Sequence, residues 1–267
     1  MRENTLRKLI KENKPTIGIR LLSVWPGMVE IIGHTGIADY IELEGEYSSW
    51  DLHDLDDFCR ATDIFKLSAM LKVDQNSRGF ITQRALGCGM QGLLFADIRS
   101  AKDVAECIKF VRAETPKYKG LNGCHMRRSV GYVVDCANEA YCKAMDDVVI
   151  AIMIEKKEAV DKLEEILSVK GIDMVQFGPG DYSMSIGLEG QSSHPDVKKT
   201  RIKVMKTAIK MGIRPRHEIE DIHDSLEDIK EFLDIGVKDF SLPTDAEVVF
   251  QWMKENGEKL KDVLHSY

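Results

Sequence analysis

The chain has 267 residues, of which 43% are hydrophobic and 30% are charged. This length is compatible with two domains or with one large α/β barrel, and the composition is that of a globular protein. Its 37 basic and 44 acidic residues give a formal net charge of -7, which argues against a general nucleic-acid partner. Apolar positions in the N-terminal segment are isolated, so we expect neither a secretory signal nor a membrane span there. The six cysteines include no CxxC pair, which favours a cytoplasmic, reducing location.

Short apolar runs alternate with amphipathic segments along the chain. After a short N-terminal helix, strands are predicted at 16–22, 39–44, 66–71, 91–96, 148–155, 173–178, 212–217 and 239–244. Helical patterns lie at 28–36, 51–63, 78–89, 100–114, 156–171, 194–212 and 225–236. Eight strand-then-helix units in a chain of this length predict one (β/α)8 barrel domain over residues 1–267.

Two segments fall outside the repeating pattern. The insert at 116–146, between the fourth and fifth predicted strands, is long enough to act as a lid over a site. The C-terminal segment 245–267 reads as an amphipathic helix with apolar residues near its start. Packing on its own barrel is the simplest role for that helix, and a contact with another subunit is the alternative.

The residues that follow barrel strands form the site in this architecture. Polar side chains occupy many of these positions, namely Glu44, Glu46, Tyr47, Lys72, Asp74, Asp97, Arg99, Glu155, Asp181, Arg216, His217 and Asp245. Glu155 and Asp181 follow neighbouring strands, an arrangement that holds an octahedral Mg²⁺ or Mn²⁺. Considered singly, Glu155 is equally well explained as an acidic residue at a helix start and Asp181 as an Asx-turn residue.

The stretch IMIEKKEAVDKLEEILSVKGIDMVQFGPGDYSMSIGLEGQSSHPDV, at 152–197, resembles the signature of the HpcH/HpaI-type aldolases. The shared features are an acidic residue after strand five, a GID triplet, a GPxD-type turn and a helix start of HPxV type. A thinner resemblance extends from about residue 16 to about residue 250. It implies a barrel of the phosphoenolpyruvate/pyruvate type that cleaves a 4-hydroxy-2-oxo acid to pyruvate and an aldehyde. It also implies a divalent metal ion (Mg²⁺, Mn²⁺ or Co²⁺) and a homo-oligomer, often a hexamer, whose final helix reaches a neighbour.

The resemblance assigns roles to individual positions. Glu155 and Asp181 match the two metal-ligating carboxylates of the family. The loop that holds the pyruvate carboxylate is matched by Gly178, Pro179 and Gly180, and Arg127 aligns with an arginine of a family loop that binds substrate.

Two departures from the family pattern concern the chemistry. The family's DGEH motif contains an acid/base histidine, whereas this chain reads EGEY, with Tyr47 at the histidine position. The family arginine that contacts the keto oxygen is matched by Lys72, which keeps the charge without the planar fork. A tyrosine titrates near ~10, so Tyr47 is a poor base unless a cation such as Lys72 lowers its pKa. Among the histidines, His217 is the first candidate for a replacement, because its strand position is expected to direct it into the barrel.

Three functions remain open at this stage. The first is a metal-dependent lyase in which Lys72 polarises the keto oxygen and Tyr47 or a metal-bound water moves the proton. The second keeps the metal and the 2-oxo acid but performs decarboxylation, hydrolysis or addition. The third is a relative that binds oxo acids without catalysis. Whether Tyr47 and Lys72 face a closed polar pocket discriminates the third from the other two.

Overall fold

The structure is a computed structural model that describes residues 2–219 and 226–267. Eight parallel strands close into a barrel in sequence order, and β8 pairs with β1. The strands are β1 (Thr16–Leu21), β2 (Tyr40–Leu43), β3 (Ser68–Val73), β4 (Gly92–Phe95), β5 (Val149–Ile154), β6 (Met174–Phe177), β7 (Arg214–Glu218) and β8 (Asp239–Thr244). The predicted (β/α)8 barrel is confirmed, and each strand lies within two residues of its predicted bounds.

Helices cover the outside of the barrel and extend from both chain ends. They are α1 (Thr5–Lys11), α2 (Pro26–Thr35), α3 (Leu52–Ile64), α4 (Arg78–Cys88), α5 (Ala101–Val111), α6 (Glu139–Asp146), α7 (Lys157–Asp161), α8 (Leu163–Leu167), α9 (Pro179–Ser185), α10 (Pro195–Lys210), α11 (Leu226–Asp234) and α12 (Asp245–His265). None of the described helices combines the length and the apolar character needed to cross a bilayer.

Three helical segments differ from the sequence prediction. The pattern at 156–171 forms two short helices, because the backbone at Lys162 (φ -110, ψ 22) leaves the helical region. The insert contains α6 and a 3-10 turn at Arg128–Val130, neither of which was predicted. The helix predicted at 225–236 is described from Leu226, since residue 225 lies outside the described residues.

Local sequence explains where several helices begin. Ser100 accepts a hydrogen bond from the amide of Asp103, whose carboxylate returns one to the amide of Ser100, so α5 starts with a capping box. Proline occupies the first turn of α2, α9 and α10, where its fixed φ suits the helix and its missing N–H costs nothing.

Strands β2 to β6 are buried on both faces, as is usual for parallel barrel strands, whereas β1, β7 and β8 contain more accessible residues. Every residue of β5, with the sequence VIAIMI, is buried, and the outward side chains join a core under the helices. Inside the barrel a second apolar cluster contains Tyr40, Met70 and Leu94, and Leu6 of α1 inserts into it. Arg7 of α1 forms two hydrogen bonds to the Asp173 carboxylate at 2.5 and 2.6 Å. The N-terminal helix therefore plugs the N-terminal end of the barrel, which leaves the opposite end for the site.

Candidate active site

Glu155 stands directly after β5 at the C-terminal end of the barrel and is only 3% exposed. Its Oε1 accepts a hydrogen bond of 2.6 Å from the amide of Asp97, which follows β4. Asp97 adopts a left-handed backbone conformation (φ 55), which aspartate tolerates better than most residues. Burial raises the pKa of Glu155 to about 7, although the Asp97 amide and the charge of Lys72 oppose this rise. The carboxyl is therefore held in a fixed position where a cation would favour its ionised form.

The Gly-Pro-Gly turn after β6 is shaped around Glu155. A Cβ added at Gly178 would lie 2.7 Å from Glu155 Oε2 and 2.8 Å from Glu155 Cβ. Only glycine leaves room for that carboxylate oxygen, which explains the residue type at the end of β6. Pro179 then starts α9, and Asp181 falls in the first turn of that helix.

Asp181 lies at the rim of the site, with its side chain 44% exposed. Its Oδ1 is 2.5 Å from Nζ of Lys156, and the same ammonium is 2.9 Å from Oδ1 of Asp97. Repulsion from Asp181 contributes to the raised pKa of Glu155, after burial, so the two carboxylates act on each other. Two carboxylates, from the ends of β4 and β6, thus converge on Lys156, next to Glu155 in the chain.

A divalent cation fits this arrangement. Glu155 and Asp181 would offer oxygen ligands from neighbouring strands, and the missing side chain at Gly178 leaves a space beside Glu155 Oε2. Within the described part of the chain, no hydrogen-bond donor engages that oxygen. Hard cations such as Mg²⁺ and Mn²⁺ prefer oxygen ligands of this kind and retain several waters.

Lys72 is the second charged centre of the site. Its side chain comes from the end of β3 and is buried, with Nζ 3.3 Å from Glu44 and 3.0 Å from Glu46. Burial alone would lower the pKa of Lys72, but Glu44 and the other acidic neighbours outweigh it and raise the pKa above its ordinary value. Lys72 is therefore a buried, permanent cation, but the pocket around it is open to solvent on one side, because Tyr47 is 59% exposed.

Tyr47 contacts Lys72, the cation that the sequence analysis named as able to lower the pKa of this tyrosine. Nζ of Lys72 donates a 3.1 Å hydrogen bond to the Tyr47 hydroxyl and lies 4.3 Å from the ring centroid. Burial nevertheless raises the pKa of Tyr47 and outweighs the opposing effect of Lys72. The phenol stays protonated at neutral pH, so it can donate a hydrogen bond or a proton but cannot serve as a base.

A charged network fills the barrel beneath these residues. Arg216 is fully buried and forms a bidentate ion pair with Glu42, and it also donates to Gln176. Among the described residues, one group of three carboxylates is compact enough for a metal ion, namely Glu42, Glu44 and Glu218. These acids are already matched by three cations, since Lys72 and Arg20 lie near Glu44 and Glu218. The group is therefore an ion-pair network that supports the site.

The expected direction of His217 was wrong. Side chains alternate along a strand, and in β7 the inward position belongs to Arg216. His217 points to the helical layer and stacks on Phe232 of α11 with ring centroids 3.7 Å apart. Burial lowers its pKa to about 3, with a further contribution from Arg201. The imidazole is thus a neutral packing group outside the barrel interior.

The expectation for Arg127 and the insert also needs correction. The insert follows α5 and leads into β5, so it lies at the N-terminal end of the barrel, away from Glu155. Arg127 Nη2 is 3.2 Å from Cys88 Sγ at the end of α4, and Arg128 pairs with Asp63. Within its own chain, Arg127 does not approach the substrate, and the insert does not cover the site.

Sequence reasoning missed two residues of the site. Asp97 was noted only as a residue after a strand, yet its amide orients Glu155. Lys156 was treated as part of a helical pattern, although its ammonium joins Asp97 to Asp181. The position of Lys156 immediately after Glu155 could have indicated its role, since residues that follow a barrel strand lie at the mouth of the barrel.

Comparison with known proteins identifies the family and agrees with the barrel fold. The family model described as HpcH/HpaI aldolase/citrate lyase matches residues 17–245. A hydroxypyruvate/pyruvate aldolase of Roseobacter denitrificans is 28% identical over 76% of this chain and 77% of its own. The 2-keto-3-deoxy-L-rhamnonate aldolase of Escherichia coli strain K12 is 26% identical over 78% of this chain and 74% of its own. The crystal structure of an HpcH/HpaI aldolase from Desulfitobacterium hafniense shares the fold, with a TM-score of 0.85, 23% identity and 97% coverage of both chains. These relatives support an aldolase of the lyase class.

Proposed function

This chain belongs to the HpcH/HpaI aldolase/citrate lyase family, and we propose that it is a divalent-metal-dependent lyase that cleaves a 4-hydroxy-2-oxo acid to pyruvate and an aldehyde. The observation that carries the proposal is the pairing of Glu155 with Asp181 beside Gly178, at the mouth of a barrel whose other end is closed by α1. The aldolase names of the relatives agree with it.

Glu155 and Asp181 would hold the ion, and Asp97 would keep Glu155 in place through its amide. When bound, a divalent ion supplies charge stabilisation for the enolate that carbon–carbon cleavage leaves on pyruvate. The backbone amides of Gly180 and Asp181 lie in the first turn of α9 and have no acceptor within the helix. The turn formed by Gly178, Pro179 and Gly180 would direct these two amides to the substrate carboxylate.

Lys72 would contact the keto oxygen of the substrate and remain charged throughout the reaction. The Tyr47 hydroxyl, held by Lys72, would act as a proton donor, because its raised pKa keeps it protonated. Glu44 lies on the other side of Lys72, and burial together with the charge of Glu42 raises its pKa to about 7. A carboxyl that titrates near neutrality is suited to accept a proton at working pH, a task that the tyrosine cannot perform.

The test is pyruvate release from a panel of 4-hydroxy-2-oxo acids, coupled to lactate dehydrogenase, with Mg²⁺, Mn²⁺ or Co²⁺. We expect ion-dependent release that disappears in Asp181→Ala. Asp161→Ala is the matched control, because this exposed aspartate pairs with Lys157 on α7, away from the site, and should leave release unchanged. No release from any substrate, with tight ion binding by the wild type, would contradict the lyase assignment.

A metal-dependent decarboxylase of 2-oxo acids is the second candidate. The observation in its favour is the absence of an imidazole from the pocket, as far as the chain is described, since His217 lies outside the barrel. Loss of CO₂ from a 3-carboxy-2-oxo acid produces the same enolate without removal of a proton from a hydroxyl group. Ion-dependent loss of such a substrate, without cleavage of the 4-hydroxy acids, would favour this candidate.

We also infer a homo-oligomer, with α12 as a contact. Phe250 and Trp252 are 67% and 60% exposed, and no residue of α12 is buried. A helix of 21 residues with large apolar side chains in solvent gains stability from a second copy of the chain. Sedimentation equilibrium should show an oligomer, and Phe250→Glu together with Trp252→Glu should shift it towards the monomer.

A further inference from the structure

Lys156 occupies a position that the assigned chemistry does not use. Its side chain is 15% exposed, and Nζ lies 2.5 Å from Asp181 and 2.9 Å from Asp97. Asp181 is one of the two proposed metal ligands, so this ammonium group is bound to an oxygen that a divalent ion would need. The neighbouring Lys157 differs in this respect, because its exposed side chain pairs with Asp161 on the outer helix α7.

We propose that Lys156 is an internal counter-cation of the metal site, which holds Asp181 in the absence of a divalent ion and is retained by Asp97 when the ion binds. This inference depends on the proposed metal site and adds to it a residue that sets the affinity for the ion. Two anchoring carboxylates are necessary for this role, because an ammonium displaced from Asp181 needs a second partner near the ion.

Electrostatics determines the direction of the effect. Without an ion, Glu155 and Asp181 repel each other across a partly buried site, and Lys156, paired with Asp181 and Asp97, offsets part of that repulsion. When a divalent ion arrives, the ammonium becomes a like charge close to it and must give up the contact with Asp181. Lys156 therefore stabilises the metal-free protein and weakens metal binding.

The test measures Mn²⁺ binding by calorimetry and electron paramagnetic resonance, with no substrate present. Lys156→Met should bind Mn²⁺ about tenfold more tightly than the wild type, since even a weakened repulsion between neighbouring charges is of that order. Lys157→Met removes the same charge from the next position and should bind Mn²⁺ as the wild type does. Without Mn²⁺, Lys156→Met should also melt at a lower temperature than Lys157→Met.

Asp97→Asn examines the second anchor. It should weaken Mn²⁺ binding in the wild type, because the displaced ammonium has lost its alternative partner. In the Lys156→Met background the same substitution should have a smaller effect, and this non-additivity is absent if Lys156 merely packs at the rim.

The outcomes separate this inference from the metal site itself. Equal Mn²⁺ affinity in the wild type, Lys156→Met and Lys157→Met would overturn the role of Lys156 and leave the metal site standing. Weaker binding in Lys156→Met would also overturn it, since the lysine would then support the site. Absence of Mn²⁺ binding in all variants would overturn both the metal site and this inference.

Discussion

Substitution of Gly178 by alanine should displace Glu155, although the backbone itself tolerates alanine. The added Cβ would lie 2.7 Å from Glu155 Oε2, 2.8 Å from Glu155 Cβ and 3.1 Å from Met153 Cε. The backbone of Gly178 (φ -97, ψ 97) lies in an extended region open to any residue, so its conformation does not require glycine. The two shortest contacts, both with Glu155, exclude a side chain here, whereas the flexible end of Met153 can move aside.

The size of the effect follows from how firmly Glu155 is held. The carboxyl is 3% exposed and anchored to the amide of Asp97, so it cannot rotate away into solvent. Overpacking of a buried position of this kind lowers the free energy of unfolding by about 1–3 kcal/mol. Because Glu155 is also a proposed ion ligand, we expect Mn²⁺ affinity to fall at least about tenfold, which corresponds to about 1.4 kcal/mol.

Gly180→Ala provides a matched control in the same turn. A Cβ at Gly180 meets no atom within 4 Å, and the residue lies inside α9. Alanine is favoured over glycine in helices by up to about 1 kcal/mol, so this variant should be as stable as the wild type or more stable. Urea unfolding followed by circular dichroism and an Mn²⁺ titration measure both quantities. An unchanged urea midpoint and unchanged Mn²⁺ affinity in Gly178→Ala would refute the contact with Glu155, and equal losses in both variants would refute the explanation by packing.

Three further predictions concern other parts of the molecule. Arg216→Met should lower the free energy of unfolding by about 3–5 kcal/mol in urea, because it leaves Glu42 buried without its partner. Burial lowers the pKa of His217 in the folded protein to about 3, so the neutral imidazole stabilises the fold fully only above its unfolded pKa. As the pH falls towards 3, the free energy of unfolding decreases by about 1.4 kcal/mol per pH unit. His217→Phe should therefore reduce the pH dependence of the urea midpoint between pH 6.5 and 4 relative to the wild type. The sulfur atoms of Cys124 and Cys136 are 2.7 Å apart, so oxidised glutathione should join them in a disulfide and remove two free thiols from the wild type. Cys136→Ser should form no such internal disulfide. Thiol titration and peptide mass spectrometry measure both results.

The central strands were predictable because both faces of β2 to β6 are covered, which produces compact apolar runs such as that of β5. The pair of Glu155 and Asp181 was predictable for a related reason, since the ends of neighbouring parallel strands meet at one mouth. The end of the barrel at which the insert lies could also have been predicted from the sequence. A segment that follows a helix and precedes a strand must lie at the N-terminal end of the barrel, and this order of elements was overlooked.

The direction of His217 and the partner of Lys156 were harder to obtain. Side chains alternate with a period of two, so an error of one residue in the inward register of β7 moves a histidine from the interior to the helical layer. Lys156 follows β5 and its Nζ contacts Asp97 after β4 and Asp181 after β6. These two distances depend on the conformation of a flexible lysine side chain. Neither periodicity nor motif spacing carries that information.

The interior charges bear on how the proposed lyase would move a proton without the family histidine. Below the mouth, Arg216 forms a fully buried ion pair with Glu42. Lys72 lies between this network and the proposed ion site, where its charge lowers the pKa of both Glu44 and Glu155 against the effect of burial. Burial outweighs this effect and raises the pKa of each carboxyl to about 7. An ion at Glu155 would keep that carboxyl ionised, so Glu44 would remain the group whose protonation changes near neutrality. Lys72 would then lie between the ion ligand Glu155 and the candidate base Glu44.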